Sequence, residues 1–145
     1  MCGIIALFYT MVAWLYIRAG DGMAMTSPGA LAGLAAFAVA QAGNWYHHLL
    51  LARLRSARGA GAQGKAAYSV PGDGLFEYVA CPHYLCEISA WAAAAAVAPS
   101  LHTGLVTFWV ASMLAGRSVS TSKWYRARFG GAYPKDRRHL VPFVF

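Results

Sequence analysis

GLFEYVACPHYLCEI, residues Gly74 to Ile88, places a Pro-His-Tyr turn and a carboxylate at the mouth of an apolar helix. Pro82 has no N–H for a helix interior but suits a first turn, so a helix is expected to begin near His83. His83 and Glu87 are spaced i to i+4 and therefore share one face of that helix. Polar groups beside apolar helices at membrane depth are tolerated only where protein, water or a ligand satisfies them. Tyr78, His83, Tyr84 and Glu87 crowd into this run, which makes it a candidate binding site. The competing explanation is a mutual hydrogen bond between His83 and Glu87 at a helix start. The apolar helix that follows favours the site.

Outward from this run the chain is 59% hydrophobic and 12% charged over 145 residues, one domain's worth, with mean hydropathy +0.45. A soluble domain carries about twice that fraction of charge, so a membrane protein is expected. The apolar stretches are Cys2 to Ile17, Gly29 to about Leu51, Tyr84 to Ala98, and Leu101 to Gly116. A span needs about 20 residues, which only the second reaches comfortably. Pro99 and Ser100 separate the last two and predict a tight helical hairpin. The first stretch has no basic residue before it, so a retained helix is expected rather than a cleaved signal.

Charge turns this list into a topology. If all four stretches cross, Arg18 alone lies on one side. Arg53, Arg55, Arg58 and Lys65 in the middle loop lie on the other, with Arg117, Lys123, Arg126, Arg128, Lys135, Arg137 and Arg138 in the tail. The excess of basic residues puts those two segments in the cytosol. The net charge of +7 is then explained by topology and contact with anionic membrane lipids, and no nucleic-acid partner is expected. Cys2, Cys81 and Cys86 make no even disulfide set, and Cys81, His83 and Cys86 lack a fourth ligand, so no metal is expected.

In the second helix, Asn44, His48 and Arg55 fall within roughly 40° of one another at about 100° per residue, whereas His47 points elsewhere. One face then carries an amide, an imidazole and a guanidinium. An aromatic belt with snorkelling arginines accounts for Trp45 and Arg53 but poorly for Asn44. GAGAQG, Gly59 to Gly64, matches the dinucleotide pattern G-x-G-x-x-G, yet no strand precedes it and no βαβ unit follows, so it reads as a flexible surface linker. Pro71, Gly72 and Gly74 mark a turn. The tail from Arg117 mixes bases and aromatics after the last helix. It suits a pocket for an anionic aromatic ligand or a layer on lipid headgroups, and both readings stand.

Three ordered pieces, NWYHHLLLARLR (Asn44 to Arg55), YSVPGDGLFEYVACPHYLCEI (Tyr68 to Ile88) and KWYRARFGGAYPKDRRHLVPFVF (Lys123 to Phe145), resemble the steroid 5α-reductase family. Within it the form CPHYL is most similar to the polyprenol (polyprenal) reductases. The resemblance implies an all-α, polytopic membrane protein of about four membrane-embedded helices with cytosolic loops, the C-terminal part of a larger bundle. Residues 1–145 are then a single membrane domain, with 1–43 as weakly matched helices and 44–145 bearing the motifs.

The resemblance also implies NADPH as cofactor, with Asn44, His48, Arg55, Tyr68, His83, Glu87, Arg117, Tyr125 and Arg137 lining its pocket. Asn44 and Glu87 would hold the carboxamide and ribose parts and the arginines the phosphates. The implied reaction is reduction of the α-isoprene double bond of a polyprenoid for dolichol synthesis and protein glycosylation, in the endoplasmic reticulum membrane. Steroid 3-oxo-Δ4 and trans-2-enoyl-CoA substrates belong to the same family and stay open. In the family a Glu and a Tyr that meet the substrate carbonyl sit in N-terminal helices, so the chain is expected to be a fragment, a truncated gene product or a subunit lacking that half. Thr121 and Ser122 stand where many relatives have a His before Trp-Tyr, and GGAYPK carries an extra residue. An isoprenylcysteine-type methyltransferase and a catalytically silent membrane remnant are the other readings.

Overall fold

The computed structural model describes residues 2–20, 26–59 and 68–145, with side chains over 11–20, 26–56 and 68–145. The Gly59–Gly64 segment, beyond the backbone of Gly59, and Lys65 lie outside the described residues, as do the side chains of Cys2 and Arg58. The architecture is all-α: α1 (Cys2–Ala19), α2 (Pro28–Gly59), α3 (Pro82–Val97) and α4 (Leu101–Phe129), with short 3₁₀ turns at Gly74–Glu77 and Gly130–Ala132. Among the described residues no helix is long and apolar enough to cross a membrane. The physical reason lies in the sequence: α2 is rich in Ala and Gly and interrupted by Gln41 and Asn44, and α4 gives way to Ser, Thr and basic residues after Gly116.

α2, α3 and α4 each begin where local chemistry demands. Ser27 accepts the Ala30 N–H on its hydroxyl at 3.2 Å, with Pro28 following it. Pro82 occupies the first turn of α3. Ser100 and Thr103 form a reciprocal capping box: the Thr103 N–H donates to Ser100 Oγ at 3.1 Å and the Ser100 N–H donates to Thr103 Oγ1 at 3.0 Å. That box restarts the helix immediately after Pro99 and produces the expected hairpin between α3 and α4.

The boundary expected near Gly116 is corrected, because α4 runs unbroken to Phe129. No Pro or Gly interrupts Arg117 to Phe129. The serines there bond back onto the helix, Ser118 to Ala115 O at 2.7 Å and Ser120 to Gly116 O at 3.2 Å, so their hydroxyls do not compete with it. Half of the tail is therefore rigid helix rather than loop. α2 carries Arg55 within it, as expected, and ends at Gly59.

The largest interhelical interface is between α2 and α3, followed by that between α3 and α4. Small residues allow the first: a methyl on Gly33 would meet Val97 Cγ2 at 2.5 Å, and one on Gly43 would meet Cys86 Sγ at 3.0 Å. α1 closes the bundle through Tyr16, whose ring lies 5.9 Å from that of Trp91 and whose hydroxyl lies 3.4 Å from Thr107 Oγ1. Below the helices, the segment 78–80 pairs with Arg138 in a parallel bridge, with the Ala80 N–H on Arg138 O at 2.8 Å and the Arg138 N–H on Tyr78 O at 2.9 Å. These loops form a platform at the basic end of the bundle.

Candidate functional site

The helical facing of α2 generates two environments from two neighbouring histidines. His47 is buried against the platform: Nδ1 donates to Gly43 O at 2.7 Å, and Nε2 accepts the Leu75 N–H at 3.4 Å. Its ring also packs edge-on against Phe76, with centroids 5.6 Å apart. Gly74 comes so close that a methyl there would sit 3.1 Å from Tyr46 Cε1, and its φ of +62° favours glycine. His47 thus fastens the turn that leads into α3.

His48, about 100° further round, opens instead into a cavity of about 700 Å³ between α1, α2 and α3. Asn44 and Glu87 line the same cavity, with Gln41, Trp45 and Trp91 around them. Among the described residues the side chains of Asn44 and Glu87 have no hydrogen-bond partner. An amide, an imidazole and a carboxylate thus converge on space beside an apolar wall of Val12, Phe37 and Ala94. That is the usual constitution of a small-molecule site: mostly apolar, with a few polar groups that orient the ligand.

His83 does not line this cavity. It is buried behind His48, with ring centroids 5.0 Å apart, and rests on Tyr84 at 4.3 Å and Phe76 at 6.1 Å. Burial lowers its pKa to about 4, and the neighbouring His48 and His47 push in the same direction. The ring is therefore neutral at physiological pH, and its buried Nδ1 has no partner. At the foot of the same helix, burial raises the Cys81 thiol to about 11, partly opposed by a hydrogen bond from Thr121, which makes it a poor nucleophile.

The remaining expected residues gather at the basic platform or stand apart. Arg137 is buried, donates from Nη1 to Pro71 O at 2.9 Å, and lies 5.1 Å over the Tyr133 ring. Its Nε, the Tyr133 hydroxyl and the Ser122 hydroxyl are buried without partners. Tyr125 stacks on Tyr133 with the rings 9° from parallel and 5.6 Å apart. Arg126, Gly130, Tyr133 and Lys135 line a smaller pocket of about 280 Å³. Burial lowers the pKa of His139, and Arg126, Lys123 and Arg138 lower it further, which registers a concentrated positive field. A buried guanidinium with no carboxylate partner among the described residues, in that field, suits an anionic ligand group.

Tyr68 is exposed and sets its ring against Trp124, with centroids 5.0 Å apart. Arg117 is exposed on α4, close enough for its charge to act on Tyr84, which also feels Glu87. Arg55 is exposed and bonds back to Leu51 O of its own helix at 3.3 Å. The structure thus brings Asn44, His48 and Glu87 together in one cavity, sets His83 behind them, and groups Tyr125 and Arg137 around Tyr133. Sequence reasoning passed over Gln41, Trp91 and Tyr133. Gln41 precedes Asn44 by three residues and Trp91 follows Glu87 by four, so helical spacing already carried that signal.

The donor set fits NADPH on these observations. An uncharged-amide-and-carboxylate cavity suits nicotinamide and ribose, while orphaned polar atoms around a buried arginine suit phosphate. A model of the family described as 3-oxo-5-alpha-steroid 4-dehydrogenase matches residues 2–145. The chain is 34% identical to "Steroid 5-alpha-reductase DET2" of Solanum lycopersicum over 133 residues, 91% of this chain and 44% of that protein. It is 31% identical to "Very-long-chain enoyl-CoA reductase" of Dictyostelium discoideum over 77% of this chain and 35% of that one. It is 32% identical to "3-oxo-5-alpha-steroid 4-dehydrogenase 1" of Rattus norvegicus over 83% of this chain and 44% of that one. The matches span less than half the length of each of these relatives.

Proposed function

The chain belongs to the 3-oxo-5-alpha-steroid 4-dehydrogenase family, and from that premise we propose that it forms the cofactor-binding part of an NADPH-dependent reductase of carbon–carbon double bonds conjugated to a carbonyl. The observation that carries this reading is the convergence of Asn44, His48 and Glu87 on one apolar-walled cavity. When bound, NADPH would supply the hydride that reduces the β-carbon, with a proton completing the α-carbon. Asn44 would both donate to and accept from the carboxamide, and Glu87 would accept from a ribose hydroxyl. Trp45 and Trp91 would exclude water and leave the cavity dry, which strengthens every polar contact within it. Arg137 and its neighbours Arg126 and Lys135 would hold phosphate, as a preorganised positive site.

The substrate proposed first is a polyprenal, reduced at its α-isoprene unit for dolichol formation and protein glycosylation; the motif Cys81 to Leu85 supports it. The names of the relatives support a second reading, a steroid 3-oxo-Δ4 or a trans-2-enoyl-CoA substrate. A membrane location, with the basic platform in the cytosol and the endoplasmic reticulum as its compartment, belongs to the same proposal. Leu31, Leu34 and Val39 on α2 and Leu101, Leu105, Phe108 and Trp109 on α4 are exposed, an apolar surface that suits lipid or further helices.

Two measurements test this. Titrating NADPH into the chain in detergent micelles should give saturable energy transfer from tryptophan to the nicotinamide. Asn44→Ala and Glu87→Ala should each weaken binding about tenfold, or about 1.4 kcal/mol. Unchanged affinity in both variants, or preference for S-adenosylmethionine, would overturn the cofactor assignment. Membranes containing the chain, supplied with NADPH and in turn a polyprenal, a steroid 4-en-3-one and a trans-2-enoyl thioester, then rank the substrates. Tight NADPH binding without turnover on any of the three would support a cofactor half-site and remove the claim of independent activity.

A further inference from the structure

The basic and aromatic residues of the tail divide into an inward and an outward set. Arg137 is buried and turned inward to Pro71 O, whereas Lys123, Arg126, Arg128, Lys135 and Arg138 are exposed. Over residues 123–138 six basic side chains stand against one acidic, Asp136. The chain then makes a turn of unusual construction. Its root, Leu140, is buried. The Leu140 and Val141 N–H groups both donate to Phe145 O, at 2.8 and 2.7 Å, and the Phe145 N–H donates to Val141 O at 3.0 Å. The backbone is thus tied back on itself, and Phe143 is held at a φ of +64°, the left-handed region that a side chain disfavours. A glycine would meet that backbone without strain and leave nothing apolar in water. Instead the tip carries Phe143 and Val144, each 78% exposed. The Phe143 ring leans on that of Tyr78, centroids 5.7 Å apart, and Tyr78 is itself exposed. Lys123, Arg126 and Arg138 all act electrostatically on His139, whose ring lies 5.5 Å from that of Phe145. Three exposed cations and the apolar tip therefore share one neighbourhood.

We propose that residues 141–145 form a wedge that inserts Phe143 and Val144 among the acyl chains of an anionic bilayer, with Lys123, Arg126 and Arg138 on the lipid headgroups. The proposal does not depend on the reductase reading. Its argument is the pairing of strain and exposure with charge. A fixed turn that presents two apolar side chains outward loses their burial in water and regains it in a membrane. Apolar residues beside a basic surface settle about 5–10 Å into the headgroup–acyl boundary, where each cation adds attraction to anionic lipid. Exposed Tyr68 and Trp124, their rings 5.0 Å apart beside Lys123, are amphipathic and suit the headgroup level. An acidic protein is the other partner such charge could meet. The exposed apolar faces of α2 and α4 favour the bilayer, because the wedge extends the same lipid contact to the headgroups.

The test places p-benzoylphenylalanine at position 143 of the 145-residue chain, reconstituted in bilayers of equal parts phosphatidylcholine and phosphatidylserine. After photolysis, adducts are identified by mass spectrometry, with circular dichroism to show that the substituted chain keeps its helices and the same probe at Val144 as a second position. Acyl-chain adducts are expected, with phosphatidylserine exceeding phosphatidylcholine by about fivefold, the factor that one lipid-facing cation supplies. The same probe at Phe108, on the apolar face of α4, should label the two lipids equally. Lys123→Gln together with Arg138→Gln should bring the ratio at position 143 close to parity, as should raising salt until charges are screened within about 3 Å. In both cases the acyl adducts themselves should persist. Absence of lipid adducts at both probe positions, equal labelling of the two lipids at low salt, or adducts to protein instead of lipid would overturn the wedge. Loss of the phosphatidylserine preference on adding NADPH would give the cations to the cofactor and overturn their assignment to headgroups.

Discussion

His47 and His48 are adjacent in the chain, yet the platform around one and the cavity around the other are built on opposite principles. Around His47 both ring nitrogens have protein partners and the segments 78–80 and 138 satisfy each other's backbone, while the orphaned polar atoms of Arg137, Tyr133 and Ser122 belong to the separate part of the platform proposed to hold phosphate. In the cavity Asn44 and Glu87 converge without hydrogen-bond partners among the described residues, and His48 sets its ring against that of His83. A region whose polar groups are mutually satisfied holds the fold together; a region whose polar groups are left over, at a cost in stability, is available to a ligand. One turn of α2 carries both because neighbouring side chains point about 100° apart.

The largest effect that separates the two regions is expected at His47. His47→Ala strands the Leu75 N–H and leaves a void against Phe76, which should cost about 4 kcal/mol. Thermal melting followed by circular dichroism should show this, whereas His48→Ala should melt within about 0.5 kcal/mol of the parent because its ring is exposed. Equal destabilisation by the two would erase the distinction.

The next effect is one of pH and belongs to His83, which lies between the regions. Its folded pKa is depressed from 6.5 to about 4, so between these values the unfolded chain binds a proton that the folded chain refuses. Stability is then complete above about pH 6.5 and falls as pH drops toward 4, by on the order of 3 kcal/mol across the window. The groups facing the ring from the packed elements are His48 and His47 on α2 and Tyr84 on α3. His83→Phe should flatten denaturant-unfolding stability across that window; an unaltered pH dependence would assign it to another group.

Gly74→Ala comes third. A φ of +62° and a neighbour at 3.1 Å should cost about 1–2 kcal/mol and loosen the turn that His47 holds. Hydrogen exchange at the Leu75 and Ala80 amides should rise accordingly, while NADPH affinity changes less than in Asn44→Ala. The smallest effect is expected at Glu87. Glu87→Gln should leave the melt unchanged or raise it by under about 0.5 kcal/mol, because a half-buried carboxylate without a partner is removed, while cofactor binding weakens. A strong destabilisation there would move Glu87 from the binding region to the structural one.

Much of this was legible in local chemistry. Ser27-Pro28, Pro82 and the Pro99-Ser100 pair mark helix starts, and the structure places α2, α3 and α4 accordingly. The facing of Asn44 and His48, and the separation of His47 from them, follow from helical geometry and are seen in the cavity and the platform. The end of α4 was not legible, since composition changes at Arg117 although helical hydrogen bonding does not. Arg55, expected on the Asn44 face, is not among the described residues that line the cavity, and its guanidinium turns back to Leu51 O.

The amino-acid sequence alone determined the helical class, the helix starts and the set of polar residues that share a face, because these depend on interactions a few residues apart. Only the tertiary structure decided which polar groups became partners of one another. Arg137 reaches Pro71, His47 reaches Leu75 and His83 packs on His48 across long stretches of chain, and those pairings are products of packing. What packing leaves unpaired, above all Asn44 and Glu87 at the mouth of an apolar cavity, is the part of the molecule the sequence could nominate but not isolate.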